Sequence, residues 1–423
     1  MVLVSLLVSL LPQLPPASPA LVRPVPSASA PTSVAPTSVV PPPRDLAAIL
    51  AAEPACRAVL AQAAAHRLQV LLAEPIERAD GSLGLRRSSL GDPSQYFYPA
   101  SAIKLCGAIA ALLHLNAHNQ SAGTSLGLDS AWAIEKRFAG DVRIDADPSN
   151  VQDGRLTVRH ALRKLLLVSD NAAYNHCFDL CGQDGLNAAM WRGGFASVCL
   201  WHRLSEARKP DEHGVTRAVR IDGTLFPARD AHAALDNRGW RELDVGTAHV
   251  DGGEPKPVPL SFAQKNAIAL QDLQDVLVEV VRPEIDTGKR GFPELTTAQR
   301  QFLVTTMGEY PRESTNPKYD SAAHPDHDCK FVLRGVRSVV PQEHLRVFDK
   351  IGRAYGFSIE NAWIEDTRTG AGFFLAIVLY TNQDGVLNDD RYEYETVADP
   401  FLDAVGAAVA RAVWPSAGPA GRR

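Results

Sequence analysis

Apolar positions along the chain recur with two periods. Leu46, Ile49, Leu50, Val59 and Leu60 keep helical spacing and predict a helix over 46–64. Leu68-Gln69-Val70-Leu71-Leu72 predicts a strand over 67–73. The turn at Ala79-Asp80-Gly81 leads to a second strand over 83–87, and the pair reads as a hairpin. Behind Pro99 a helix is predicted to begin near Ser101 and to run through Leu112 and Leu113. Further helices are predicted over 158–168, with Thr157 as N-cap, over 171–180, and over 266–281. Then 343–351, 357–365 and 372–380 read as three strands in succession. A helix over 400–413 closes the pattern, with Asp399 as N-cap and Pro400 at its first position. Two strands, a helical middle, three strands and a final helix predict one sheet fed from both ends of the chain, with helices on its faces. The fold class is α/β, of the mixed α+β kind.

Composition narrows the setting. A chain of 423 residues, 45% hydrophobic and 22% charged, is globular and long enough for a large core. The net charge is −5, and no basic block or aromatic-interleaved basic stripe occurs, so nucleic acid is not an expected partner. The apolar run from Met1 to Leu11 has the length of a signal peptide, although a positive n-region is missing, and it is too short for a stable membrane span. With Ser18-Pro19-Ala20 as the end of a cleavage site, residues 1–20 are expected to direct export to the periplasm or the extracellular space. Residues 21–44 are rich in Pro, Ser, Ala and Thr, with Ala30-Pro-Thr-Ser-Val nearly repeated at Ala35, and are expected to form an extended linker. One domain is expected over 45–414, monomeric, followed by a flexible tail over 415–423. Residues 207–260, rich in Gly, Pro and Asp, are expected to be an irregular insertion.

Six cysteines permit disulfides in an exported protein, but Cys106 reads as a small buried thiol inside a helix. Cys177 and Cys181 have i,i+4 spacing, a poor disulfide geometry, and the pairing is left open. Neither a cofactor nor a metal is expected. His324-Pro-Asp-His327-Asp-Cys329 has no standard ligand spacing, Asp145-Ala-Asp147 lacks the other calcium-loop positions, and no Gly-rich phosphate loop occurs.

The chemistry rests on three short segments. Ser101-Ala102-Ile103-Lys104 puts a hydroxyl and an amine on one helix face, where a lysine of lowered pKa can take the serine proton. Ser169-Asp170-Asn171 follows the apolar helix ending near Val168, and Lys350-Ile351-Gly352 leads into strand-like sequence. Ser-x-x-Lys, Ser-Asp-Asn and Lys-x-Gly in this order are the motifs of class A β-lactamases and penicillin-binding proteins.

On these motifs the chain resembles the class A β-lactamase-like serine hydrolases of the penicillin-recognising superfamily. Lys350-Ile-Gly-Arg-Ala-Tyr-Gly, with Ala362-Trp-Ile beyond it, is similar to a less-studied branch of them. The resemblance implies a mostly antiparallel five-stranded sheet flanked by helices and packed against an all-helical region, with the site between. It implies Ser101 as acylated nucleophile, Lys104 as its proton acceptor and Ser169 as proton relay. Asn171 would contact the substrate amide, and Lys350 would lower the Lys104 pKa and attract a substrate carboxylate. Gly352 would let the strand approach, and the N–H groups of Ser101 and Arg353 would form the oxyanion hole. Three departures stand out. Ile351 replaces the usual hydroxyl residue. Arg353 and Tyr355 are bulky and polar, and either supply a replacement carboxylate contact or face away. Glu206 lies at the distance of the deacylating glutamate but lacks its Glu-x-x-Leu-Asn context, so a solvated loop carboxylate is the competing reading. The expected function is an exported serine hydrolase opening an amide or β-lactam bond in a small molecule. The alternatives are a cell-wall peptidase or transpeptidase acting on a peptidoglycan-like peptide, and a sensor acylated once.

Overall fold

The computed structural model describes residues 41–206 and 208–415; the apolar N-terminal run, most of the expected linker and nearly all of the tail lie outside the described residues. The first predicted helix is broken. Asp45 caps α1 (Leu46–Ala51) by accepting from Ala48 N at 3.0 Å. Pro54 then has no N–H to continue the ladder and starts a 3-10 turn, from which α2 (Arg57–Ala61) resumes. The hairpin is longer than predicted: β1 (Gln69–Glu77) pairs antiparallel with β2 (Leu83–Leu90).

A 3-10 turn at Ala100–Ile103 feeds α3 (Lys104–Ala122). The short β3 (Trp132–Ile134) precedes α4 (Val158–Leu167), where Thr157 Oγ1 accepts from His160 N at 3.1 Å, as an N-cap should. Asp170 caps α5 (Asn171–Arg192), which continues well past residue 180 through a break at Gly182, φ 73°. α3 and α5 approach so closely that a Cβ on Gly107 would sit 2.8 Å from the Tyr174 ring. That contact fixes the Ser101 turn against the start of α5.

The insertion is not irregular throughout. It carries β4 (Val219–Ile221), β5 (Thr224–Phe226), β6 (Asp244–Val245), β7 (Ala248–Asp251), β8 (Glu254–Lys256) and β9 (Leu260–Ser261). Each is two to four residues long, below the length at which alternation shows in a sequence. α6 (Leu270–Val281) starts later than predicted, because the Ala267 backbone is extended and exchanges both hydrogen bonds with Cys199, at 2.9 Å each. α7 (Thr297–Gly308), with a Thr296/Gln299 capping box, was not predicted; the short α8 (Asp326–Cys329) and α9 (Leu333–Val336) follow.

The last third supplies β10 (Leu345–Asp349), β11 (Gly352–Ala354), β12 (Phe357–Asp366), β13 (Ala371–Tyr380), the short β14 (Val386–Leu387) and α10 (Asp399–Val413). The main sheet runs β10-β12-β13-β1-β2, antiparallel throughout. β11 pairs with the same strand, β12, as β10 does, so the sheet has five strand positions and one edge position is interrupted at Lys350-Ile351. Both faces are covered. Phe374, Ala376 and Val378 of β13 join the core built on α3, α5 and α6, while Phe373, Leu375, Ile377 and Leu379 join a second core under α1 and α10. This explains the unbroken apolar run of β13. Each fully buried side chain there contributes about 1.5–3 kcal/mol. The expected mixed fold, an antiparallel sheet with a helical region against it, is the one observed. Asp399, expected as an N-cap, is instead the first residue of α10, and its carboxylate pairs with Arg353.

Candidate active site

Three remote segments meet at one hydroxyl. Ser169 Oγ lies 3.1 Å from Lys104 Nζ and accepts from Lys350 Nζ at 2.9 Å. Lys104 Nζ also donates to Asn171 Oδ1 at 2.6 Å and to the Ser169 carbonyl. Lys350 Nζ donates in addition to Ile351 O at 2.9 Å. Both lysines are almost wholly inside, at 0% and 2% exposed. Burial, and then the charge of Lys350, hold the Lys104 amine well below the ordinary lysine value. Burial brings Lys350 down to about 8 against the opposing pull of Asp349.

Ser101 leads this assembly from the 3-10 turn, one turn before Lys104 along the chain. Among the described residues its Oγ has no hydrogen-bond partner. The preceding residue, Ala100, is held at φ 48°, and Ser169 and Tyr355 stand at 62° and 52°. Non-glycine residues in the left-handed region each cost about 1–3 kcal/mol and persist where surrounding packing demands them. Here all three flank the same place. β11 runs alongside: a Cβ on Gly352 would lie 3.0 Å from Ser101 N and 2.8 Å from Ala102 N, and closer still to Pro99 O. Only glycine lets the strand pass the Ser101 backbone this closely.

Ser101 opens into a cleft of about 930 Å³, whose walls include Tyr98, Asn171, Ser205, Glu206, Lys265 and Tyr355. The insertion supplies part of the mouth through His213 and Asp251, and β7 is held there by pairing with β14. Glu206 lines the cleft, but its carboxylate faces arginines: Arg208 at 2.6 Å, Arg217 at 3.2 Å and Arg203 at 3.9 Å. These hold its pKa below the usual carboxylate range against the effect of burial. Glu206 is therefore neither a solvated loop residue nor, among the described contacts, a partner of Ser101, Lys104 or Ser169.

The Arg353 side chain turns toward α10 and the second core. Its guanidinium pairs with Asp399, donates from Nε to Ser358 Oγ at 3.2 Å, and stacks 4.2 Å over Phe331 and 4.8 Å over Tyr394. Of the two roles open to it, the carboxylate contact is not the one observed; its backbone remains on β11 beside Ser101. Ile351 is buried in the second core.

Two groups escaped the sequence reading. Ser205 Oγ accepts from Asn171 Nδ2 at 2.8 Å, extending the chain Lys104–Asn171–Ser205; a serine in a polar loop carries no signal. Beneath Lys350, Asp349 and Glu360 are both buried, and burial pushes both carboxyls up. Lys330 Nζ donates to Asp349 Oδ1 at 2.6 Å. A glutamate among the inward positions of an apolar strand was a readable sign of this pair. All six cysteines are free thiols.

Residues 88–236 match the beta-lactamase enzyme family. That match bears out the resemblance carried by the motifs; it spans Ser101, Lys104, Ser169 and Asn171 and ends before Lys350. No curated protein matches the chain. Among solved structures, a beta-lactamase from Desulfarculus baarsii aligns at 19% identity over 88% of this chain and 97% of that one, TM-score 0.45. A beta-lactamase from Streptosporangium roseum aligns at 16% identity over 85% and 97%, TM-score 0.46. An acyl-enzyme complex of a PBP-A mutant with penicillin G aligns at 14% identity over 88% and 98%, TM-score 0.47.

Proposed function

We propose that the chain is an exported serine hydrolase that opens an amide or β-lactam bond through an acyl-Ser101 intermediate. The observation that carries this reading is the Ser169 hydroxyl held between two buried amines, 3.1 Å from Lys104 and 2.9 Å from Lys350. Lys104, neutral by burial beside Lys350, takes the Ser101 proton as Oγ bonds to the carbonyl carbon. The N–H groups of Ser101 and Arg353 stabilise the oxyanion. As the C–N bond breaks, a proton passes from Lys104 through Ser169 to the departing nitrogen, and Lys350 keeps that relay polarised. Water then hydrolyses the ester and returns Ser101 to its free form.

A second reading, slow turnover in the manner of a penicillin-binding protein, is favoured by one observation. The Glu206 carboxylate is engaged by arginines and not by Lys104 or Asn171. The test of both is the mass of the intact protein with time after exposure to benzylpenicillin. One penicilloyl group on the wild type and none on Ser101→Ala is expected. Persistence of the adduct for hours selects slow turnover. No adduct at any time, with a folded protein, ends the acyl-Ser101 assignment for β-lactams.

A further inference from the structure

β11 has little of its own to hold a backbone N–H in place. It is three residues long, pairs with β12 along one edge, and is cut off from β10 at Lys350-Ile351. Its other edge passes the Ser101 turn, where Gly352 brings no side chain to hold on with. A strand this short, paired on one side, opens easily unless something else restrains it.

The restraint is built on the Arg353 guanidinium. Asp399, the first residue of α10, pairs with it, and the pair is largely covered, with side chains 26% and 22% exposed. The Phe331 and Tyr394 rings lie 4.2 and 4.8 Å from the guanidinium carbon. Ser358, directly opposite Arg353 on β12, accepts from Nε at 3.2 Å. Stacking and a charged hydrogen bond restrain a planar guanidinium in different directions, so together they fix its position and its plane.

Tyr394 contributes twice. It opens a single π-helical turn, Tyr394–Ala398, that delivers Asp399, and its hydroxyl accepts from Gly356 N at 2.9 Å. Such turns are rare and occur mostly at functional sites. Gly356 O in turn accepts from Thr381 N at 2.8 Å. The chain is thus held at Arg353 and again at Gly356, and Tyr355 between them is kept at φ 52°. Among the described residues, neither Asp399 nor Phe331 is part of the wall of the Ser101 cleft.

We propose that Asp399, with Phe331 and Tyr394, is a positioning residue: by holding the Arg353 side chain from outside the cleft it sets the Arg353 N–H for the oxyanion, so that acylation depends on an ion pair the substrate never touches. The inference rests on the acyl-Ser101 reading for the oxyanion; the hold on β11 is measured without chemistry. Hydrogen exchange over residues 352–358, read by mass spectrometry, should quicken at least about 5-fold in Asp399→Asn while β13 exchanges as in wild type. Acylation by benzylpenicillin should slow about 10–100-fold in the same variant, as for a misplaced oxyanion donor. The calorimetric affinity of Ser101→Ala for benzylpenicillin should change by less than about 3-fold when Asp399→Asn is added, because the N–H is used chiefly in the transition state. Asp399→Glu, which restores a carboxylate, should recover most of the rate. If Asp399→Asn does not fold, Phe331→Leu replaces it in the exchange, rate and affinity measurements. Unchanged exchange over 352–358, exchange quickened as much in β13, a rate loss matched by lost affinity, or no recovery in Asp399→Glu would overturn the proposal. A wild type and an Asp399→Asn variant labelled equally fast keep the hydrolase and remove the positioning role. A wild type that takes no label ends the hydrolase reading, and the exchange measurement then decides alone whether Asp399 holds β11.

Discussion

Lys350 Nζ donates to Ser169 Oγ at 2.9 Å across 181 positions of sequence, and through that hydroxyl the edge of the sheet is wired to the head of α5. Neither element alone would hold an amine there. In the proposed mechanism this hydroxyl is the junction at which a proton changes owners between acylation and expulsion of the leaving group.

Removing the junction should leave the fold and lose the rate. Ser169→Ala takes away one hydroxyl flanked by two amines, and general acid–base contributions of this kind are about 10²–10⁴-fold. Acylation of Ser101 by benzylpenicillin, followed by intact mass, should slow by about that factor, with the melting temperature within a few degrees of wild type. An unchanged acylation rate would remove Ser169 from the mechanism.

The pH dependence follows from the two lysines. Acylation requires Lys104 neutral, so the rate rises as pH passes its lowered value. It also requires Lys350 charged, so the rate falls as pH rises through about 8. The second-order acylation rate against pH should therefore be a bell with its alkaline limb near 8, belonging to the coupled pair. In Lys350→Arg, whose side chain does not titrate in this range, that limb should vanish; a limb that stays at 8 would assign it to another group.

Gly352 sets the gap between β11 and the Ser101 turn. In Gly352→Ala the new methyl meets Ser101 N, Ala102 N and Pro99 O, all backbone and none able to swing aside. Over-packing of this type costs about 1–3 kcal/mol. Urea denaturation should register that loss, and Ser101 labelling should fall by at least about 100-fold, because the oxyanion donors are displaced with the strand. Full activity in the variant would mean that β11 does not bound the oxyanion site.

Glu206→Gln separates an architectural role from a chemical one. Its carboxylate neutralises a cluster of Arg203, Arg208 and Arg217 that is shared with Asp179 and Asp141. Removing one acid from such a partly buried cluster should cost about 1–3 kcal/mol, seen as a lower melting temperature. The lifetime of the acyl-enzyme should change by less than about 3-fold. An adduct that accumulates only in the variant would make Glu206 the deacylating base.

The legible part of this molecule was its periodicity and its punctuation. β1, β12 and β13 announce themselves by apolar runs, and Thr157 by the helix it starts. Ser101, Lys104, Ser169, Asn171 and Lys350 stood out because three spaced motifs occur in order, and the fold brings Lys104, Ser169, Asn171 and Lys350 into direct contact. What stayed hidden depends on partners far away in sequence. The direction of the Arg353 side chain is set by Asp399, 46 positions on, and by two aromatic rings. Glu206 is claimed by arginines on two sides of it. The break in the first helix, by contrast, was open to view: Pro54 sits in the middle of the predicted span.

Ala100, Ser169 and Tyr355 adopt a backbone conformation that glycine would accept more willingly. A screen for heat resistance would therefore find gains around Ser101. It would also set that serine free to wander, so evolution toward a hardier molecule and toward a competent one pull in opposite directions at these three positions.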